Sequence, residues 1–185
     1  KNKQWGMAFL DISTGEFFIV PADYDPEFEN ILSEIARYRP AECILPSAVP
    51  SGLAERIRER GVAVTLYKND GFSEQRARQN LMDHFHVASL AGFGCEEFPA
   101  AVCAGGAALS YAKETQNTTL THIRSLTTRS RTEGLILDAI TLRNLEVKEN
   151  IRLDPRGATL FSCLDLTKTP MGSRMLVRRL SCPLT

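Results

Sequence analysis

The chain has 185 residues, enough for one domain or for one domain and part of a second. Its 22 Lys and Arg residues balance its 22 Asp and Glu residues, so any nucleic-acid contact must come from local patches rather than from overall charge. The sequence lacks a run of about 18 apolar residues, which argues against a membrane-spanning helix, and its five scattered cysteines without a C-x-x-C pair favour reduced cytosolic thiols over disulfides or a zinc site. Because Lys1 is not preceded by a start methionine, we expect a piece of a longer protein.

A hairpin of two buried strands is predicted at the start of the chain. Residues 5–12 alternate Trp, Met and Phe on one face with Gly, Ala, Leu and Ile on the other, and residues 17–20 are apolar on both faces. The turn signal Ser13-Thr14-Gly15 separates the two strands. Two apolar faces predict a sheet that is covered by helices on both sides.

Helices and strands then alternate along the chain. Apolar residues at positions 28, 31, 32 and 35 predict a helix with Glu27, Glu34 and Arg37 on its solvent side, which ends at Pro40. The elements predicted next are a strand at 43–45, a helix from an N-cap at Ser51 to Gly61, a strand at 62–67, a helix at 73–85 and a helix at 99–115. This alternation predicts an α/β layer.

Two of these helices carry features that bear on function. The helix at 99–115 contains Gly105 and Gly106, which weaken a helix but allow a close approach to the sheet. In the helix at 73–85 the predicted buried side consists of Ala77, Leu81, Met82 and Phe85. The predicted outward side consists of Gln75, Arg76, Gln79, Asn80 and Asp83. A polar face of this kind is usually only solvated.

The remainder of the chain changes character. Residues 117–133 are rich in Thr and Ser, carry Arg124, Arg129 and Arg131, and predict a connecting segment with room for one short strand. Helix starts are predicted at Asp138, at Thr159 and at the Thr169-Pro170 pair. The last helix has an apolar side of Met175, Leu176 and Leu180, and these helices are too few to bury their apolar sides.

Several residue patterns bear on catalysis, metal binding or phosphate binding. Asp11 ends the first strand, where enzymes of the ribonuclease H class place a metal-binding carboxylate, and Glu16, Glu42 and Asp70 are the nearby candidates. We favour Asp11 as a turn-capping residue. His84, His86 and His122 lack metal-ligand spacing, and Cys103 is expected in the core. Arg174, Arg178 and Arg179 could meet phosphates but are better explained as a solvated helix face, and no phosphate loop is present.

Five sequence blocks occur in this order along the chain: GMAFLDISTGEF, LAGFG, YAKETQNTTLTHIRSL, LDAITLRNLEV and TLFSCLDLTKTPMGSRML. Together they resemble the middle of the bacterial MutS family of DNA mismatch repair proteins. The resemblance implies a connector domain at residues 1–117, with a ribonuclease H-like α/β fold of a mixed sheet flanked by helices but without nuclease activity. It further implies a linker at 118–133 and the truncated beginning of a helical core and lever domain at 134–185. Residues 150–158 match no block of the family.

The function implied by this resemblance is that of a non-catalytic connector, which relays conformational state and offers a docking surface to the repair protein MutL. The helix face at Gln75, Arg76, Gln79, Asn80 and Asp83 is the candidate for that contact. Catalytic, metal and cofactor sites are expected to be absent from this piece, whereas ATP, Mg²⁺, mismatched double-stranded DNA, the other MutS domains and homodimer formation belong to a longer, cytoplasmic parent. The alternative is a metal-dependent ribonuclease H-like nuclease.

Overall fold

A computed structural model describes residues 4–50, 52–129, 139–148, 150–151, 158–181 and 183. The described residues form two compact units. Unit 1 contains those up to 31 and from 40 to 129, and unit 2 contains residues 32–39 and those from 139 onwards. Ser51, Arg131, Asp138, most of the 150–158 segment and the side chain of Arg178 lie outside the described residues, so the predictions that concern them are not assessed.

Unit 1 begins with the predicted hairpin. Strands β1 (Gln4–Asp11) and β2 (Glu16–Asp23) pair antiparallel along their whole length, from Gln4 opposite Asp23 to Asp11 opposite Glu16. Gly15 has a φ of 75°, which glycine adopts without strain, and its amide donates to the carbonyl of Asp11 at 2.9 Å. The prediction of a tight turn at residues 13–15 is therefore confirmed.

The rest of unit 1 follows the predicted alternation. Its elements are β3 (Glu42–Pro46), α2 (Leu53–Arg58), β4 (Ala63–Tyr67), α3 (Glu74–Phe85), α4 (Pro99–Gln116) and β5 (Thr127–Thr128). β3 and β4 form a parallel two-stranded sheet, while β5 lies parallel to β2 and completes a three-stranded sheet with the hairpin. The mixed α/β class is confirmed, with two small sheets in place of one continuous layer.

One face of β2 forms the centre of the unit 1 core. Phe17 and Ile19 pack with the buried residues of α3 and α4, and Ile19 has no exposed surface. Phe18, on the opposite face, stacks on Phe9 with 5.1 Å between ring centroids. Three residues of the predicted connecting segment enter the same core and are almost fully buried: Leu120, Ile123 and Leu126.

Glycines set the spacing between the core elements. A Cβ built at Gly105 would lie 3.1 Å from Cγ2 of Ile19, so α4 meets β2 there as predicted. At Gly106, a Cβ would overlap the backbone and side chain of Ala77 on α3. Gly6 of β1 has the same relation to the backbone of Ala100 in the first turn of α4. The contacts at Gly6 and Gly106 are close approaches to a neighbouring main chain that a side chain would prevent, whereas Gly105 meets only the end of a side chain.

Helices in both units end on left-handed residues other than glycine. Arg39 follows α1 (Glu29–Tyr38) with a φ of 46°, and its amide donates to the carbonyl of Ile35 at 2.8 Å. His86 after α3 and Asn117 after α4 have φ values of 55° and 48°. Such caps satisfy carbonyls that the helix leaves without partners, although the conformation is strained for residues with a Cβ.

Helix α1 departs from the prediction in two ways. Phe28 precedes the helix, with a φ of 59°, rather than opening its apolar stripe. Glu34 was predicted on the solvent side but is 4% exposed, so that prediction is wrong. Its carboxylate lies 3.8 Å from the guanidinium of Arg37, and an ion pair of this kind compensates part of the cost of burying the charge.

The other helices of unit 2 are α5 (Ala139–Asn144), α6 (Leu160–Leu164) and α7 (Pro170–Ser181). Thr159 and Ser162 cap α6 reciprocally, and the Thr169 hydroxyl accepts from the amide of Gly172 at 3.1 Å, so both predicted helix starts are confirmed. Large apolar side chains on these segments remain exposed, as the sequence predicted: Leu160, Leu164, Leu166, Met171 and Met175.

Candidate interaction surface on the third helix

Helix α3 is fixed to unit 1 along its buried side. Ala77 and Leu81 have at most 1% of their surface exposed and pack against α4, where Gly106 allows the two helices to meet closely. Ser73 precedes the first turn, and its carbonyl accepts from the amide of Ala77 at 2.8 Å. The predicted helix at 73–85 is confirmed, and its opposite side is presented on a well-packed support.

The outward side of α3 carries most of the predicted contact residues. Gln75, Arg76, Gln79 and Asp83 are exposed. The Gln79 amide donates to Oδ1 of Asp83 at 2.7 Å, and Arg76 forms an ion pair with Asp70. Surface pairs of this kind contribute little to stability, so these side chains can exchange their present partners for those of a second protein.

Asn80 does not belong to this outward face, and its predicted orientation is wrong. Its Nδ2 donates to Oγ of Ser110 at 2.8 Å and to the carbonyl of Gly106 at 3.2 Å, while its Oδ1 accepts from Nζ of Lys113 at 3.2 Å. The position three residues after Ala77 turns the amide towards α4. These bonds form a polar seam between α3 and α4, made by Asn80, Ser110 and Lys113. The spacing of Ser110 and Lys113, i and i+3 on α4, is the sequence signal that could have indicated it.

The charges around the face are balanced. Arg78 lies 3.7 Å from Glu74 one turn earlier, in addition to the pair between Arg76 and Asp70. Burial lowers the pKa of Lys113 at the edge of the seam, and the charge of Asp83 opposes that shift. The surface therefore suits a partner recognised through hydrogen bonds and paired charges rather than a strongly acidic or basic one.

The carboxylates considered for metal chemistry engage different partners. Asp11 accepts from the amide and the hydroxyl of Ser13 at 2.8 and 2.6 Å, which confirms its turn-capping role. Glu16 pairs with Arg129, Glu42 accepts from the Tyr111 hydroxyl at 2.7 Å, and Asp70 pairs with Arg76. Across the described residues, no three His, Cys, Asp or Glu side chains form a group that could hold a metal ion.

The contacts and burial of the histidines and cysteines indicate structural roles. Rings of His84 and His122 bond the carbonyls of Ile123 and Ile12 at 2.9 and 2.7 Å. Cys103 was expected in the core but is only half-buried and lies outside the core cluster; burial nevertheless raises the pKa of its thiol, which disfavours a role as a nucleophile. Burial likewise raises the pKa of Cys43, to about 11, with the charge of Glu42 adding to the shift.

The arginines of α7 fit the solvated helix face that the sequence favoured. Arg174 and Arg179 are exposed. Within the described part of the chain, every helix is too short or too polar to cross a membrane.

Comparison with known families covers both units. The model of MutS domain II matches residues 1–124, and the model of MutS domain III matches residues 140–185. Proteins called DNA mismatch repair protein MutS are similar throughout: that of Methanosarcina barkeri is 47% identical over 97% of the chain, and that of Salinibacter ruber is 38% identical over 97%. The chain spans about a fifth of the length of these relatives.

Proposed function

The chain belongs to the MutS family of DNA mismatch repair proteins, and we propose that its domain II part acts as a non-catalytic connector that presents α3 as a docking surface for MutL. The observation that carries this proposal is the outward face of α3. It joins exposed Gln75, Arg76, Gln79 and Asp83 on a helix whose other side is locked into the unit 1 core. A rigid support with adaptable hydrogen-bonding side chains is suited to fixing the register of a partner.

We further propose that unit 1 has a ribonuclease H-like fold. Support comes from the order of its elements, an antiparallel hairpin followed by strands and helices with a parallel pair, β3 and β4. The separate partners of Asp11, Glu16, Glu42 and Asp70 disfavour the nuclease alternative. In this proposal the fold supplies a scaffold rather than a catalytic centre.

The domain boundaries are proposed as a connector at residues 1–117, a linker at 118–133 and a core and lever segment at 134–185. The family matches, at 1–124 and 140–185, support a division into these two parts. Burial of Leu120, Ile123 and Leu126 indicates that the first stretch of the linker stays packed on the connector.

The activity of the whole protein is also a proposal. The relatives are called DNA mismatch repair proteins, which supports a cytoplasmic parent that recognises mismatched double-stranded DNA. We propose that the parent forms a homodimer, uses ATP with Mg²⁺ in domains beyond this chain, and recruits MutL. In this scheme the present piece relays the conformational state between the other MutS domains.

The docking proposal is tested in the full-length parent with the double variant Gln75→Glu and Gln79→Glu. Both positions are exposed, so each change should alter the free energy of unfolding by less than about 0.5 kcal/mol. The variant should bind a mismatch normally but capture MutL at least about tenfold less well, because two new carboxylates change the charge of the contact. A matched control, Gln4→Glu with Gln116→Glu, adds the same charge at exposed positions outside α3. MutL capture that is equal in both variants would show that the partner binds elsewhere.

A further inference from the structure

We propose that Arg129 is the clasp of a detachable strand: its contacts with Glu16 and Phe18 hold β5 on β2, and opening them releases residues 127–129 while the unit 1 core stays intact. The role that we assign to the detachable strand rests on the proposed relay function. The contacts that hold the strand all lie within unit 1.

Three contacts converge on Arg129. Its guanidinium carbon lies 3.7 Å from the centroid of the Phe18 ring, over the face of that ring. The same guanidinium forms an ion pair with Glu16, in which each side chain keeps only about a quarter of its surface exposed. Its backbone amide donates to the carbonyl of Ile19 at 2.9 Å and extends the parallel ladder past Thr128.

The strand held by this clasp is otherwise weakly attached. β5 contains only Thr127 and Thr128, of which the first is exposed and the second half-buried. One further bond, from the Thr128 hydroxyl to the carbonyl of Phe93 at 2.7 Å, joins it to the neighbouring loop. Two residues of parallel pairing bury little apolar surface, so side-chain contacts must supply most of the attachment.

The residues just before β5 are held much more firmly. Leu126 is 2% exposed, and Ile123 and Leu120 are equally buried in the unit 1 core. The apolar anchoring of the segment therefore stops at Leu126, directly before the clasped strand. Detaching residues 127–129 breaks hydrogen bonds and the Arg129 contacts but leaves these three leucine and isoleucine side chains in place.

This arrangement sets where the firmly held part of the segment ends. With β5 attached, the described residues are held up to Arg129, whereas with β5 detached they are held only up to Leu126. The three released residues span about 10 Å when extended. The clasp therefore selects between a docked and a released state of residues 127–129.

Amide hydrogen exchange of the 185-residue chain, followed by NMR over a range of low urea concentrations, tests this proposal. In the unchanged chain, exchange at the amide of residue 129 should be nearly independent of urea, as for a local opening, while hairpin amides in β1 and β2 should show the steep dependence of global unfolding. Equal urea dependence at both places would overturn the proposal, because β5 would then open only when unit 1 unfolds.

Variants separate the clasp from a general loss of stability. Arg129→Gln and Glu16→Gln should each speed exchange at residue 129, by about tenfold for Arg129→Gln, which loses both the ring contact and the ion pair. Arg129→Lys keeps the charge but not the planar guanidinium, so exchange at residue 129 should be faster than in the unchanged chain and slower than in Arg129→Gln. Arg124→Gln removes an exposed arginine from the same segment and serves as the control.

Two results with these variants would contradict the clasp. Unchanged exchange at residue 129 in Arg129→Gln would show that the side chain does not hold β5. A parallel loss of protection in the hairpin would show that Arg129 supports the core instead. Because MutL takes no part in these measurements, a failed docking experiment leaves the clasp standing, and the reverse also holds.

Discussion

Replacing Gly106 with alanine should separate α3 from α4 and destabilise unit 1. The added Cβ would meet the Cα and Cβ of Ala77, and its distance to the Ala77 carbonyl carbon would be 3.0 Å. Carbon atoms pack at about 3.5–4.0 Å, so a main-chain segment rather than a flexible side-chain end must move by about 1 Å. Overpacking of this kind costs about 1–3 kcal/mol, and the movement also loosens the contacts of Leu81.

Gly105→Ala is the matched control. Both substitutions gain about 1 kcal/mol of helix propensity in the same helix. At position 105, however, the nearest atom is Cγ2 of Ile19 at 3.1 Å, the end of a side chain that can shift by a few tenths of an ångström. We therefore expect Gly105→Ala to stay within about 1 kcal/mol of the parent and Gly106→Ala to be about 2 kcal/mol less stable than Gly105→Ala.

Urea unfolding followed by tryptophan fluorescence measures this difference. Trp5 is the single tryptophan of the chain and stacks on Tyr24 within unit 1, with 5.6 Å between ring centroids, so its emission reports that unit. A second variant tests the cause: Ala77→Gly should not rescue Gly106→Ala, because the overlap includes the Ala77 backbone. If Gly106→Ala proves as stable as Gly105→Ala, the close approach of α3 and α4 does not control the stability of unit 1.

Two further predictions follow from titratable groups of unit 1. Burial lowers the pKa of His84, although its bond to the Ile123 carbonyl opposes that shift. The stability contributed by neutral His84 should therefore be full above the unfolded-state pKa of about 6.5 and decline as the pH falls towards the folded-state pKa. His84→Gln should flatten the dependence of the unfolding free energy on pH between about pH 5 and 7, and an unchanged slope would refute this assignment. Burial raises the pKa of Asp11, but the hydrogen bonds from Ser13 and Thr14 outweigh that effect and hold the pKa below its usual value. In urea unfolding, Asp11→Ala should lower the unfolding free energy by about 1 kcal/mol at neutral pH, and by less at a pH below the folded-state pKa. An equal loss at both pH values would contradict the role of the carboxylate.

Local patterns carried most of the fold prediction. The hairpin was readable because apolar residues occupy both faces on either side of Ser13-Thr14-Gly15, a signal contained within a few residues. Helix α4 was readable from Pro99 at its start and from the alanine-rich run after it. Such signals depend only on neighbours along the chain, so no knowledge of the rest of the fold was needed.

The errors concern polar residues that the rule of helical spacing placed towards solvent. Asn80 bonds Ser110, 30 residues away, and a rule that turns polar side chains outward cannot foresee such a partner. Helical spacing alone also placed Glu34 among the solvent-facing residues, although it is buried and pairs with Arg37 only three residues along the helix. Pairing of Arg129 with Glu16 spans 113 residues, so the sequence indicated one short strand but not where it attaches. The proposed contacts of α3 with a partner stay a prediction.

The left-handed helix ends also show where a single substitution could raise the stability of this chain. A residue with a Cβ in this conformation carries a strain of about 1 kcal/mol that glycine avoids and that asparagine tolerates better than most residues. Asn117 is thus already suited to its place after α4, whereas exposed His86 after α3 is not. A stabilised scaffold for studying α3 could therefore be built by changing the end of that helix and leaving its outward face as nature made it.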